Sequence, residues 1–371
     1  MATEAAGRRQ PRVKLDDPGS WSGLDPSKML ELAVGFPAQV QDAARIGRGF
    51  APPARFADPR LIVLSGMGGS AVAGDFLARL CEAKSPVPFL VNRGYAVPAS
   101  VGPDTLFIAS SHSGNTEETL ESAEAALARG ARILCATTDG QLAAWAREHE
   151  AEGVALVVIP GKGMPPRASL GYSFVPLAIA LERLGIYPGA SAELEKAVPL
   201  VERLRDRVAP AVPAKDNPAK ELALALFGRI PWVQGTIGIM SAAAYRWRTQ
   251  FNENSKALAY SSEYPELDHN EVIGWEQAER WRELVSVVML RSPSDHRRVR
   301  ARVDITREKF IAPKAPVHVI EAEGESPLAQ LLWMVYLGDF VSIYLAFLNG
   351  VDPASIASIN LLKAEMAKLP T

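Results

Sequence analysis

From about residue 61 onward, short apolar runs alternate with helical patterns, and this alternation leaves the chain few folds to choose from. Strand-like runs fall at 61–65, 87–91, 105–109, 132–137 and 154–159, with helical periodicity at 71–80, 117–129, 141–148 and 169–184. A helical segment at 192–208 and a Pro-rich stretch at 210–218 then interrupt the series. Beyond them it starts again, with strands at 230–235, 284–290 and 317–321 and helices at 239–251, 297–309, 328–348 and 353–369. The pattern predicts an α/β protein of two subdomains, each a parallel sheet flanked by helices and joined by right-handed crossovers. The second half reads as a divergent copy of the first. Ligands in such sheets gather at the carboxyl ends of the strands, and a crevice between two subdomains adds a second place for one.

The expected division is a disordered arm at 1–23, a first subdomain with a lead-in helix (26–45) over 24–209, and a second subdomain over 210–371. The arm is assigned because Arg8, Arg9, Arg12 and Lys14 lie in a polar stretch with no apolar run behind them, which also argues against a signal peptide. The segment 328–348 is long enough to span a bilayer and carries only Asp339 as a charge, but it has no positively charged flank close by. It reads as a helix buried in protein. With 40 basic against 42 acidic side chains the chain carries no excess of positive charge, so nucleic acid is not an expected partner. The only cysteines, Cys81 and Cys135, both lie in apolar surroundings, which excludes a disulfide framework and suits a cytoplasmic setting.

Two strand-to-helix turns carry the chemistry. In Ser111-His112-Ser113-Gly114-Asn115-Thr116 three hydroxyls, on Ser111, Ser113 and Thr116, lie at the start of a helix whose first N–H groups have no partner in the helix. That combination holds a phosphate through neutral donors, without the lysine of a Walker loop or the G-x-G-x-x-G of a dinucleotide site. It suits a small phosphorylated metabolite, although the same residue types also make an ordinary helix cap. The second turn, Gly66-Met67-Gly68-Gly69-Ser70, follows another strand of the same sheet. Its glycines allow close approach to the backbone near Gly69, and Ser70 adds a hydroxyl. The five histidines are scattered, and there is no H-E-x-x-H or C-x-x-C, so no metal site is expected.

These two turns resemble the sugar isomerase (SIS) domain. Thr249-Gln250-Phe251-Asn252-Glu253-Asn254-Ser255-Lys256 and Glu266-Leu267-Asp268-His269-Asn270-Glu271 resemble the bifunctional phosphoglucose/phosphomannose isomerases of archaea and some bacteria. The resemblance runs from about residue 25 to the end. It implies two SIS-type αβα subdomains, a homodimer, no cofactor or metal, and interconversion of glucose 6-phosphate or mannose 6-phosphate with fructose 6-phosphate through an enediolate. It also implies roles: Glu253 as the base, Arg167 as the cation beside the enediolate, His269, supplied across the dimer interface, for ring opening, and Lys363 as an aid to ring opening or a substrate contact. The phosphate falls to Ser111, Ser113 and Thr116, and the sugar to Gly69 and Ser70.

A sugar-phosphate sensor without turnover is the alternative, since SIS domains also serve as regulators. Against it, the chain offers no helix-turn-helix candidate outside the two α/β units. His112 departs from the tyrosine usual in the family. Lying between two candidate ligands, it is expected to point away from the phosphate. His112→Tyr should therefore leave the affinity for a phosphate ester nearly unchanged, and a large loss measured by calorimetry would mean that the turn has been misplaced.

Overall fold

A computed structural model describes residues 10–368. Two lead-in helices, α1 (Met29–Val34) and α2 (Phe36–Gly49), precede the first sheet; the single helix expected at 26–45 is broken at Gly35. The first unit runs β1 (Leu61–Ser65), α3 (Gly68–Glu82), β2 (Phe89–Asn92), β3 (Thr105–Ser110), α4 (Glu117–Ala128), β4 (Arg132–Thr137), α5 (Gly140–Glu148), β5 (Ala155–Val158), α6 (Leu170–Arg183) and α7 (Ala190–Val208). The second runs α8 (Pro218–Leu226), β6 (Ile230–Thr236), α9 (Ile239–Glu253), β7 (Tyr260–Tyr264), α10 (Glu271–Gly274), β8 (Val285–Arg291), α11 (Arg297–Thr306), β9 (Val317–Glu321), α12 (Pro327–Asn349) and α13 (Ala357–Met366).

Both sheets are wholly parallel, ordered β2-β1-β3-β4-β5 and β7-β6-β8-β9. The second order repeats the first without its fifth strand, so the internal copy is present in the topology. Parallel strands covered by helices on both faces read as continuous apolar runs, which is why β1, β3, β4 and β8 are nearly all buried. β7, Tyr260-Ser261-Ser262-Glu263-Tyr264, is an edge strand without that signature and escapes the sequence reading. So does α8. It lies directly behind the Pro-rich stretch, where Asn217 caps it by accepting from the N–H groups of Ala219 and Lys220, and Pro218 occupies its first turn.

The apolar helix α12 is enclosed, 94% of its most apolar window being buried, and it packs against α7, α8 and α9. Because α7 belongs to the first half and α8 and α9 to the second, the halves share one core. At its far end Gly350, with φ +70°, closes α12 in the left-handed conformation glycine adopts freely.

The disordered arm expected at 1–23 needs correction where it is described. Residues 1–9 lie outside the described residues, but Val13, Leu15 and Trp21 are buried. Trp21 stacks on Phe347 of α12 with ring centroids 4.7 Å apart, and its Nε1 donates to Leu15 O. Asp16 accepts from the fully buried Lys220 Nζ at 3.0 Å, and the same ammonium donates to the carbonyls of Pro210 and Val212. Three isolated apolar residues in a basic, polar stretch make no periodic pattern, yet each finds a pocket. Trp21→Ala should lower stability by about 3 kcal/mol in chemical denaturation. A change below about 1 kcal/mol would show that the segment merely lies on the surface.

Candidate active site

The carboxyl end of the first sheet presents the two turns side by side. After β3, Ser111 Oγ and Thr116 Oγ1 are 2.8 Å apart, and Ser111 Oγ accepts from Gly114 N at 3.1 Å. Ser113 Oγ accepts from Asn115 N, and Ser113 is exposed. The turn closes at Gly114, whose φ is +70° and whose Cα stands so near the next loop that a Cβ would lie 1.7 Å from Asp139 O. Asn115 Oδ1 accepts from Gln141 N, tying the turn to α5. The hydroxyls thus crowd the N-terminus of α4, where backbone N–H groups favour an anion.

Ser70 joins the turns, its Oγ accepting from His112 N at 3.3 Å. Gly69 brings the start of α3 against the segment after β5, since a Cβ there would be 3.3 Å from Pro166 O. Ser113, Asn115, Lys162, Gly163, Met164 and Pro166 border a cavity of about 370 Å³ between the hydroxyl turn and that segment. Lys162 pairs with Asp139 at 2.6 Å at its edge and, by its hydrogen bond, holds the Asp139 carboxyl below its ordinary value. His112 is buried beneath the same segment: its Nε2 has no hydrogen-bond partner among the described residues and lies 3.3 Å from where a Cβ on Gly161 would stand. Burial pushes its pKa down, which favours the neutral ring.

Arg167 follows directly, on the one-turn segment Pro166–Ala168. Only 4% of it is exposed. Its Nε donates to Asn254 Oδ1 at 2.6 Å, its Nη1 to Glu253 Oε2 at 3.3 Å, and its Nη2 to Pro353 O at 2.5 Å and Ala354 O at 3.0 Å. Burial draws the guanidinium below its ordinary pKa, and the charges of Glu253 and Asp352 oppose that. Glu253 is the last residue of α9, so a first-subdomain cation meets a second-subdomain carboxylate. A half-buried carboxylate beside a fixed guanidinium can take a proton from carbon while the cation holds the negative charge that develops.

Of the residues singled out in the sequence, the structure brings together Gly69, Ser70, Ser111, Ser113 and Thr116 at one sheet end, and Arg167 with Glu253 at the seam. It does not bring His269 or Lys363 to them within one chain. His269 ends the short turn Glu266–His269, is exposed, and its side chain makes no hydrogen bond or ion pair among the described residues. Lys363 stands on α13, which buries none of its residues and leaves Leu361 and Leu362 more than 60% exposed. Missed in the sequence were Asn254, which aligns the Arg167 guanidinium, and Lys256, whose Nζ donates to the carbonyls of Glu253 and Asp352. Burial, then repulsion from Arg167, draws the Lys256 pKa down. Their signal was present in Asn254-Ser255-Lys256, polar residues closing a mostly buried helix. Among the described residues no three His, Cys, Asp or Glu side chains assemble as a metal site.

The model of the SIS domain matches residues 55–158, and that of the bacterial phospho-glucose isomerase C-terminal SIS domain matches 215–366. The bifunctional phosphoglucose/phosphomannose isomerase of Caldicellulosiruptor bescii is 39% identical over 341 residues, 92% of this chain and 99% of the relative. That of Aquifex aeolicus is 39% identical over 83% of this chain and 90% of its own. The solved structure of a glucose-6-phosphate isomerase like protein from Thermus thermophilus shares the fold, with a TM-score of 0.57 and 21% identity over 96% of this chain and 99% of that one. Gly114→Ala should force the hydroxyl turn off Asp139 and weaken binding of a phosphate ester by about tenfold or more in calorimetry. Unchanged affinity would mean that the turn does not hold the anion.

Proposed function

The chain belongs to the bifunctional phosphoglucose/phosphomannose isomerases, and from that premise we propose how it carries out the aldose–ketose isomerisation of hexose 6-phosphates. The observation that carries the reading is the Arg167–Glu253 pair at 3.3 Å. It supports a base and an electrophile held together beyond a cradle suited to phosphate. In this reading Ser111, Ser113, Thr116 and the first N–H groups of α4 hold the 6-phosphate, and the sugar runs past Gly69 and Ser70 toward the seam.

Glu253 takes the proton from C2 of the open-chain aldose and returns it to C1, while a proton moves from the C2 hydroxyl to the C1 oxygen. The product is the ketose, and no electron leaves the substrate. Arg167 stabilises the enediolate between the two transfers, where charge on oxygen is greatest. The reaction as written asks for no cofactor. Glucose and mannose phosphates lose their distinction at the enediolate, because C2 becomes planar, so one base can serve both.

Ring opening needs a further acid and base. The exposure of His269 supports its supply to the other protomer of a homodimer, where its ring nitrogens can reach the sugar's ring oxygen. The apolar face that α13 leaves open, with Leu361 and Leu362, supports the same assembly and would seat Lys363 near the substrate. Two free buried thiols, Cys81 and Cys135, which burial pushes up to about 12, support a reducing, cytoplasmic setting.

Purified protein should convert fructose 6-phosphate to glucose 6-phosphate and mannose 6-phosphate, and Glu253→Gln should lower kcat by about 10³-fold. Binding without turnover by the wild type would favour a sugar-phosphate sensor. Full turnover by the variant would remove Glu253 from the role of base.

A further inference from the structure

Asp339 is the one charged side chain in α12, and Arg246 of α9 reaches it through a single nitrogen: Arg246 Nη2 lies 2.9 Å from both carboxylate oxygens. Arg246 is 1% exposed and the Asp339 side chain 13%. Gln250 Nε2 adds a third hydrogen bond to Asp339, at 2.8 Å. An ion pair this deep is a poor source of stability, since apolar side chains of similar volume often do as well. Its connections suggest another use.

The same Arg246 Nη2 also donates to the backbone carbonyl of Arg167 at 3.0 Å. From the other side, Asp339 O accepts from Ser342 Oγ at 2.8 Å, Ser342 Oγ accepts from Asn254 Nδ2 at 2.9 Å, and Asn254 Oδ1 accepts from Arg167 Nε. Arg167 is therefore anchored at its backbone, through the Arg246–Asp339 side chains, and at its guanidinium, through a line that starts at the Asp339 backbone carbonyl. Arg167 itself sits on a one-turn segment after Pro165 and Pro166, with no sheet or long helix to fix it. Its Nε and Nη2 are taken up by anchors, and Nη1 alone faces Glu253.

We infer that Arg246 and Asp339 are positioning residues for the isomerisation: their buried pair sets the register of the Arg167 guanidinium against Glu253. This rests on the isomerase reading of Arg167 and Glu253. Neither residue touches substrate, so their effect falls on transition-state stabilisation and leaves the grip on the phosphate alone.

Two variants separate this role from a structural one. Arg246→Lys keeps the charge beside Asp339, but its ammonium ends one bond short of the Arg246 Nη2 position and draws back from the Arg167 carbonyl. The double variant Arg246→Met/Asp339→Leu replaces the pair with apolar bulk. The expected result, in whichever variant keeps the wild-type melting temperature, is a kcat about 10- to 100-fold lower with KM for fructose 6-phosphate within about twofold. A five-carbon aldonate 5-phosphate, whose planar carboxylate imitates the enediolate, should lose affinity in step with kcat. Wild-type kcat in a folded variant would overturn the positioning role while leaving the isomerase reading intact. If both variants unfold, the pair is a stability element and the role falls. No turnover by the wild type would sink the isomerase reading itself, and the inference with it.

Discussion

A guanidinium buried between two subdomains needs partners for most of its N–H groups, because an unpaired charge there is far more costly than an unpaired amide. Arg167 finds four partners in two distant parts of the chain: Glu253 and Asn254 at the end of α9, and the carbonyls of Pro353 and Ala354 beyond α12. None of these segments could be displaced without stranding the cation. The seam between subdomains, the end of α9 and the entry to α13 are thus held together by one side chain. Hydrophobic burial gives the halves a common core, but it is not directional; Arg167 supplies the direction.

The internal repeat explains why the site lies on one side. By strand order, the β8-to-α11 turn is the counterpart of the β3-to-α4 turn. In the first subdomain that turn offers hydroxyls and free N–H groups around Gly114. In the second, Asp295 turns its carboxylate back onto Ser292 N at 2.7 Å, and Ser292 Oγ donates to Gln330 Oε1 at 2.5 Å. There the turn's polar groups are spent on one another, and His296 Nδ1 caps the start of α11 by accepting from Arg298 N. The second copy has given up the cradle and contributes instead the end of α9, where its glutamate meets the first copy's arginine.

Much of this was legible in the sequence because parallel strands buried on both faces are uniformly apolar, and because hydroxyl and glycine turns keep their composition wherever they occur. The edge strand β7 was not legible: Ser261, Ser262 and Glu263 face conditions that do not demand apolar residues. The Arg246–Asp339 pair was hidden for the opposite reason. One aspartate in an apolar helix reads as an exception, and its partner lies 93 residues away. Periodicity reports how a residue faces its own element, and says nothing of which distant group it will meet. For the same reason the register of Gly69 against Pro166 could be anticipated only as closeness of backbone in general.

The packing of Trp21 on Phe347 bears on the order in which the molecule can form. The indole is synthesised more than 300 residues before its partner ring, so a nascent chain must finish α12 before the segment around Trp21 has anywhere to dock. Until then Asp16 also lacks Lys220, and the buried ammonium of Lys220 lacks its only carboxylate among the described residues. The N-terminal segment is accordingly a late fastening, a clasp closed over helices that have already met, and contacts so far apart in sequence form slowly. In a cell this leaves the segment around Asp16 and Trp21 open to proteases until those helices have assembled.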